Sequence, residues 1–246
     1  APFPHIVLDD FLPADFLRNL VAEFPTTEGH EFFDRSQERL KFQFRPHEIP
    51  GRSLRNLVME LNSPPILRFL QSMTGIRSLI ADPYYLGGGL HETRAGGHLG
   101  VHADFNIHPA MKVERRLNLL VYLNDDWPEG YGGHLELWDQ QMKACCHRVL
   151  PVIGRAVVFN TSLDSYHGQP EPVACPPERG RRSIATYYYT ANEAGLASLP
   201  RRTTVFKVRP DSTDKEDRRV QFDHFLRDWL PPVVYRMAKG AGRSED

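Results

Sequence analysis

His98-Leu99-Gly100-Val101-His102-Ala103-Asp104-Phe105, joined much later by His167 in Asp164-Ser165-Tyr166-His167-Gly168, is the stretch on which the reading of this chain turns. In an extended backbone the side chains of residues i and i+2 leave the same face, so His102 and Asp104 point into one space. A second imidazole from a distant strand would complete two histidines and one carboxylate on one side of a metal ion, with the other side open to exogenous ligands. His167 is the expected third ligand.

With eleven histidines in 246 residues, a bare His-x-Asp carries little weight. The ordered series around it carries more. Downstream stand Arg116-Leu117-Asn118-Leu119-Leu120-Val121-Tyr122-Leu123-Asn124, then Asp126-Trp127 and Gly132-Gly133-His134-Leu135-Glu136-Leu137. After His167 comes Arg181-Arg182-Ser183-Ile184-Ala185-Thr186-Tyr187-Tyr188-Tyr189. In this order the motifs resemble the Fe(II)- and 2-oxoglutarate-dependent dioxygenases, and within them the prolyl-hydroxylase-like branch. The resemblance covers roughly residues 3 to 24 and 80 to 191.

The resemblance implies a mainly β fold with flanking helices (α+β), built on a double-stranded β-helix or jelly-roll core. It implies Fe(II) held by His102, Asp104 and His167, 2-oxoglutarate as cosubstrate, O2 as oxidant and ascorbate as an accessory reductant. Related halogenases vacate the carboxylate position; here Asp104 fills it, so hydroxylation is expected. The far carboxylate of 2-oxoglutarate needs a cation at fixed distance, and arginine offers two parallel charge-assisted bonds. Arg182 is the expected partner: if 182, 184 and 186 share the inner face, Thr186 joins it. The interval from His167 is long and holds Pro170-Glu171-Pro172 and Pro176-Pro177, which keeps Arg181 in contention. On the strand before Asn124, Asn118, Leu120 and Tyr122 share a face. Similar proteins use a tyrosine at the Tyr122 position for the same carboxylate, and Asn118 is a further cosubstrate candidate. A second tyrosine common on the strand before His-x-Asp is missing, and His91-Glu92-Thr93-Arg94 stands there.

Composition sets the outer bounds. With 41% apolar and 25% charged residues and a formal charge of −1, the chain reads as an ordinary globular protein, long enough for a sizeable core. The charge balance argues against a polyanion-binding surface, and Tyr188 stands where a nucleic-acid demethylase of this kind carries a second arginine. No nucleic-acid partner is expected. Cys145, Cys146 and Cys175 make no disulfide framework or zinc knuckle, and no run is long enough to span a bilayer. A cytoplasmic protein without membrane contact is the expectation.

One domain over 1–246 is expected, in three parts. Residues 1–78 supply a strand at Ile6-Val7-Leu8 and supporting helices; 79–191 form the jelly-roll core; 192–246 add a strand and a helix. Apolar residues at helical spacing mark helices through Phe16, Leu17, Leu20, Val21 and Phe24, then Leu54, Leu57, Val58 and Leu61, then Ile66, Phe69, Leu70 and Met73 up to Gly75. Residues 26–52 lack periodicity and read as an irregular segment, either a lid over the substrate or a surface loop anchored by phenylalanines. Phe222, Phe225, Leu226, Trp229 and Leu230 give a one-faced helix that packs on its own domain or serves a homodimer. The substrate splits into a prolyl or other amino-acid-type group, free or peptidyl, and a small natural product. The rival from another class is a non-catalytic jelly-roll that binds a metal or ligand.

Overall fold

Short β-rich runs separated by Gly, Pro, Asn and Asp cannot each bury a core alone; paired side by side, they form one sheet folded over on itself. In the computed structural model, which describes residues 2–28, 30, 32–191 and 202–215, this produces an antiparallel, nearly closed barrel, mostly β with helices on one side. The elements in chain order are β1 (His5–Leu8), α1 (Ala14–Val21), β2 (Phe33–Arg35), β3 (Glu38–Phe44), α2 (Arg52–Glu60), α3 (Pro64–Thr74), β4 (Ile80–Ala81), β5 (Gly89–Ala103), β6 (Glu114–Tyr122), β7 (Leu135–Trp138), β8 (Cys145–Val149), β9 (Ala156–Asn160), β10 (His167–Gln169), β11 (Gly180–Thr190) and β12 (Val205–Phe206). Neighbours run β1-β9-β6-β11-β5-β10-β7-β8, with β3 and β12 also pairing on β5, β2 on β3 and β4 on β11.

The strand β5 unites the two halves of the barrel. The two runs expected at Leu90–Arg94 and His98–Asp104 are one continuous strand: its first half pairs with β11, its second half with β10 and β12, and β3 pairs with both. Sheet layers and helices then sort by residue parity. Leu117, Leu119 and Val121 of β6 and Ile184 and Tyr188 of β11 pack against Leu17 and Leu20 of α1, Leu54 and Val58 of α2 and Leu70 of α3. The opposite face, bearing Asn118, Leu120, Ala185 and Tyr187, looks into the barrel. The helix positions follow the apolar periodicity, and α3 stops where Gly75 adopts the left-handed conformation, φ 73°, that a residue with a Cβ resists.

Residues 26–52 depart from the irregular segment expected. They contain the β2–β3 hairpin, whose β3 pairs with β5 from Lys41↔Thr93 to Phe44↔Leu90 and, beyond a register shift, at Arg39↔His98 and Glu38↔Leu99. Period-2 alternation is present in Lys41-Phe42-Gln43-Phe44: the phenylalanines enter the helix-side core and Lys41 and Gln43 face the barrel interior. The expected strand over 203–209 is the short β12, while the helix expected over 222–230, and with it the homodimer surface, lies outside the described residues. Among the described residues no helix is long and apolar enough to cross a membrane.

Candidate active site

A cavity of about 540 Å³ opens between the two halves of the barrel, and His102, Asp104 and His167 lie at its inner wall. The pairing His167↔His102 sets β10 directly beside β5. This close approach depends on Gly168, where a Cβ would come within 2.8 Å of the Gly100 carbonyl and 2.9 Å of the Leu99 carbonyl. A register shift between Gln169↔Leu99 and His167↔His102 turns the end of β5 so that His102 faces the cavity, as Leu99 does three residues earlier.

The hydrogen bonds of the two imidazoles set their tautomers. His102 Nδ1 lies 2.9 Å from the Gly100 carbonyl and His167 Nδ1 3.0 Å from the Ser165 carbonyl. A carbonyl only accepts, so each Nδ1 carries the proton and each Nε2 presents its lone pair. Those Nε2 atoms approach the Asp104 carboxylate at 3.6 Å (His102 to Oδ1) and 3.5 Å (His167 to Oδ2). The three ligand atoms lie within 4.8 Å of one another. Separations of this size are too long for hydrogen bonds and leave room for an ion. The donor set, the tautomers and the burial of all three side chains fit a divalent metal of the iron type.

Around the triad lies a second set of contacts that the motif reading missed. Arg115, only 2% exposed, places Nη2 3.0 Å from Asp104 Oδ2. Asn118 donates from Nδ2 to the same oxygen at 2.9 Å, and its own Oδ1 accepts from Arg115 Nε and Nη2 at 2.9 and 2.8 Å. The Asn118 hydrogen bond and the Arg115 charge therefore both fall on Oδ2, and Oδ1 keeps its lone pairs for an ion. Burial by itself would raise Asp104; the Arg115 charge and the neighbouring histidines hold it well below the usual carboxylate range. Burial and the charge of His102 push His167 down to about 4, so it is neutral at pH 7. Asn118 faces the cavity as expected, but its amide is committed to Asp104. The signal for Arg115 was weak in sequence because Arg115 and Arg116 are adjacent. The bulge at Tyr188/Tyr189, where Tyr188 pairs with Leu117 and Tyr189 with Arg115, turns Arg115 inward and sends Arg116 to Thr190.

The arginine expected for the cosubstrate is displaced by one residue. Arg182 faces away from the cavity: its Nε lies 3.3 Å from Oε2 of the fully buried Glu92, and its guanidinium stacks 4.4 Å from the Phe24 ring centre. Thr186 is on that same helix-facing side, hydrogen bonded to the Tyr188 hydroxyl at 2.9 Å. Arg181 is the cavity-lining arginine. Its Nε donates to the Gly133 carbonyl at 2.6 Å, and its Nη2 lies 3.5 Å from the Tyr122 hydroxyl. The phase was not readable from alternation because β11 is buried on both faces, by helices on one and by the barrel interior on the other. Tyr122 shares the inward face as expected. Gly133, one of the residues in the motif series, is the seat of Arg181. Its φ is +72°, and a Cβ there would meet Arg181 Cδ at 2.9 Å.

Residues 88–189 match the family model of the 2OG-Fe(II) oxygenase superfamily. The part of the barrel inside that match, which carries the triad, has the pattern of a 2OG-Fe(II) oxygenase core, and the match supports an enzyme of the dioxygenase class. No curated protein matches the chain. Among solved structures, a prolyl-4-hydroxylase from Pseudomonas putida is similar at 18% identity and TM-score 0.52, covering 77% of this chain and 94% of that one. A prolyl hydroxylase from Trichoplax adhaerens, in complex with a hypoxia inducible factor oxygen degradation domain peptide fragment, follows at 17% identity and TM-score 0.50, over 80% and 87%. HygX from Streptomyces hygroscopicus, with nickel, 2-oxoglutarate and hygromycin B bound, has 12% identity and TM-score 0.50, over 77% and 84%. At these identities the likeness establishes a shared fold.

Proposed function

We propose that this protein hydroxylates an unactivated C–H bond, using Fe(II) held by His102, Asp104 and His167 and 2-oxoglutarate held at its far end by Arg181 and Tyr122. One observation carries the reading: two imidazoles and a carboxylate converge in the same cavity as a buried arginine that has no carboxylate partner among the described residues. Iron bound there with 2-oxoglutarate supplies the oxygen chemistry that yields succinate and CO2 and transfers one atom of O2 to the substrate.

The chain's own residues do the rest. Arg115 and Asn118 engage Asp104 through Oδ2, which would leave Oδ1 to hold the metal. The Gly100 and Ser165 carbonyls keep both imidazoles in the ligating tautomer. Arg181 sits on the Gly133 carbonyl with Nη2 beside the Tyr122 hydroxyl, so a carboxylate arriving there would meet a guanidinium and a hydroxyl together. The β2–β3 hairpin covers the cavity from one side and Thr203, Thr204 and Phe206 from another, which limits solvent access to the reacting centre.

The substrate reading is a small amino-acid-type molecule or natural product. The similar HygX structure holds a small molecule and the Trichoplax one a peptide fragment. A cavity of about 540 Å³ here accommodates the former. Succinate formation on adding Fe(II), ascorbate and 2-oxoglutarate under O2 is the direct test. His102→Ala is expected to lose metal binding and succinate production together, whereas undiminished turnover in that variant would defeat the triad and leave the non-catalytic jelly-roll.

A further inference from the structure

The far end of the cavity, beneath the β2–β3 hairpin, is built from residues outside the stretch 88–189 that matches the family model. Its electrostatics are one-sided. Five cations line the cavity, Arg35, Lys41, Arg115, Arg181 and Arg202, against two carboxylates, Glu38 and Asp104. Asp104 pairs with Arg115 at 3.0 Å and Glu38 with Lys41 at 2.8 Å. A divalent metal adds two positive charges and a 2-oxoglutarate dianion cancels only those two, so the excess of three persists when the second substrate arrives. In a cavity with low-dielectric walls such an excess favours an anion.

The sheet register shows where that anion would sit. Lys41 on β3 and Arg181 on β11 both pair with Thr93 on β5, so the two cations flank one threonine across three adjacent strands, all facing the cavity. Strands about 4.8 Å apart put their backbones roughly 10 Å from each other. What separates the two head groups is their partners. Arg181 belongs to the Tyr122 end, and Lys41 belongs to the hairpin end, where the Phe33 ring lies 5.3 Å from its ammonium and 5.9 Å from the Arg35 guanidinium. Lys41 is 8% exposed and spends one of its three N–H donors on Glu38. Arg35 is exposed at the cavity mouth, with no carboxylate partner among the described residues.

We infer that Lys41, Arg35 and Phe33 form a carboxylate subsite for the primary substrate, which is therefore a small organic acid whose acidic group lies against Lys41 and whose apolar part covers Phe33. This inference rests on the proposed oxygenase reading, in which Arg181 takes the cosubstrate. The experiment separates the two. Calorimetric titration of Co(II) and then 2-oxoglutarate into the full chain tests the oxygenase reading first; absence of either binding defeats that reading. Phenylacetate and phenylacetamide, equal in shape and different in charge, are then titrated into the Co(II)- and 2-oxoglutarate-loaded protein. The acid is expected to bind at least about tenfold more tightly than the amide, as the loss of charge-assisted bonds requires. Lys41→Met should erase that preference while 2-oxoglutarate affinity changes less than about threefold, the contrast expected when one charge-assisted contact is lost and the other kept. Glu38→Gln, which frees Lys41 without removing it, should tighten the acid and not the amide, and keeps the test decisive if Lys41→Met does not fold. Equal affinities for acid and amide, binding of neither, or a Lys41→Met variant that loses 2-oxoglutarate instead would overturn the subsite.

Discussion

Exchange of Arg181 and, separately, of Arg182 for methionine separates two neighbouring arginines with opposite tasks. Arg181 is buried, points its guanidinium into the cavity and faces no carboxylate among the described residues. Hydrogen bonds to a charged group are worth about 1.5–3 kcal/mol each. Losing that fork should weaken 2-oxoglutarate roughly ten- to hundredfold at 1.4 kcal/mol per decade. Methionine keeps most of the buried volume, so the melting temperature should move little. Arg182 should behave the other way. Its partner Glu92 is wholly buried and would retain only Arg94, whose Nη1 lies 2.8 Å from Oε1. Leaving a buried acceptor short of a partner costs about 2 kcal/mol, or roughly 4–8 °C in a chain of this size. The assays are the 2-oxoglutarate dependence of succinate formation and a thermal melt of each variant. If Arg182→Met raises the 2-oxoglutarate requirement and Arg181→Met does not, the assignment of faces on β11 is refuted.

Three further outcomes follow from the same geometry. Arg115→Met strands Asp104 with Asn118 as its remaining donor, and should destabilise the metal-free protein by about 3–5 kcal/mol, the cost of breaking a buried pair. Added Co(II) should then raise the melting temperature more than it does in the parent, because the ion replaces the missing countercharge; an equal or smaller rise would contradict the role given to Arg115. In the metal-free protein the imidazole of His167 is pushed from its ordinary 6.5 to about 4 by burial and the His102 charge. The unfolded chain therefore binds the extra proton between those values, and stability present above pH 6.5 should decline as the pH falls toward 4, by about 3 kcal/mol from this group. Buried His91, also pushed well below its usual range, acts in the same direction; a flat chemical-denaturation stability across that window in chelator would exclude it. Gly133→Ala places a methyl group against Arg181 at a positive φ, and should raise the 2-oxoglutarate requirement at unchanged metal affinity; loss of metal binding with cosubstrate affinity intact would show that the glycine serves another purpose.

The pairing of His102 with Asp104 was legible in the chain itself because the two stand two apart on a strand, whereas His167 was singled out by the order of the surrounding motifs, and the fold sets it beside His102. The helices were legible for a similar reason, since α1, α2 and α3 each bury one face and their apolar residues recur with the helical period. The face presented by β11 was not. Both of its sides are apolar enough to be buried, so neighbouring Arg181 and Arg182 differ only in what the folded barrel places opposite them, Tyr122 and Gly133 for one and Glu92 and Phe24 for the other. Nor could a single strand announce the hairpin that roofs the cavity, the bulge that turns Arg115 toward Asp104, or the alignment of Lys41, Thr93 and Arg181 across three strands. Composition and spacing determine which residues can ligate a metal and which segments become strands, because those depend on neighbours in sequence. The choice of which charges share a buried space depends on register between strands far apart in the chain, and only the closed barrel decides it.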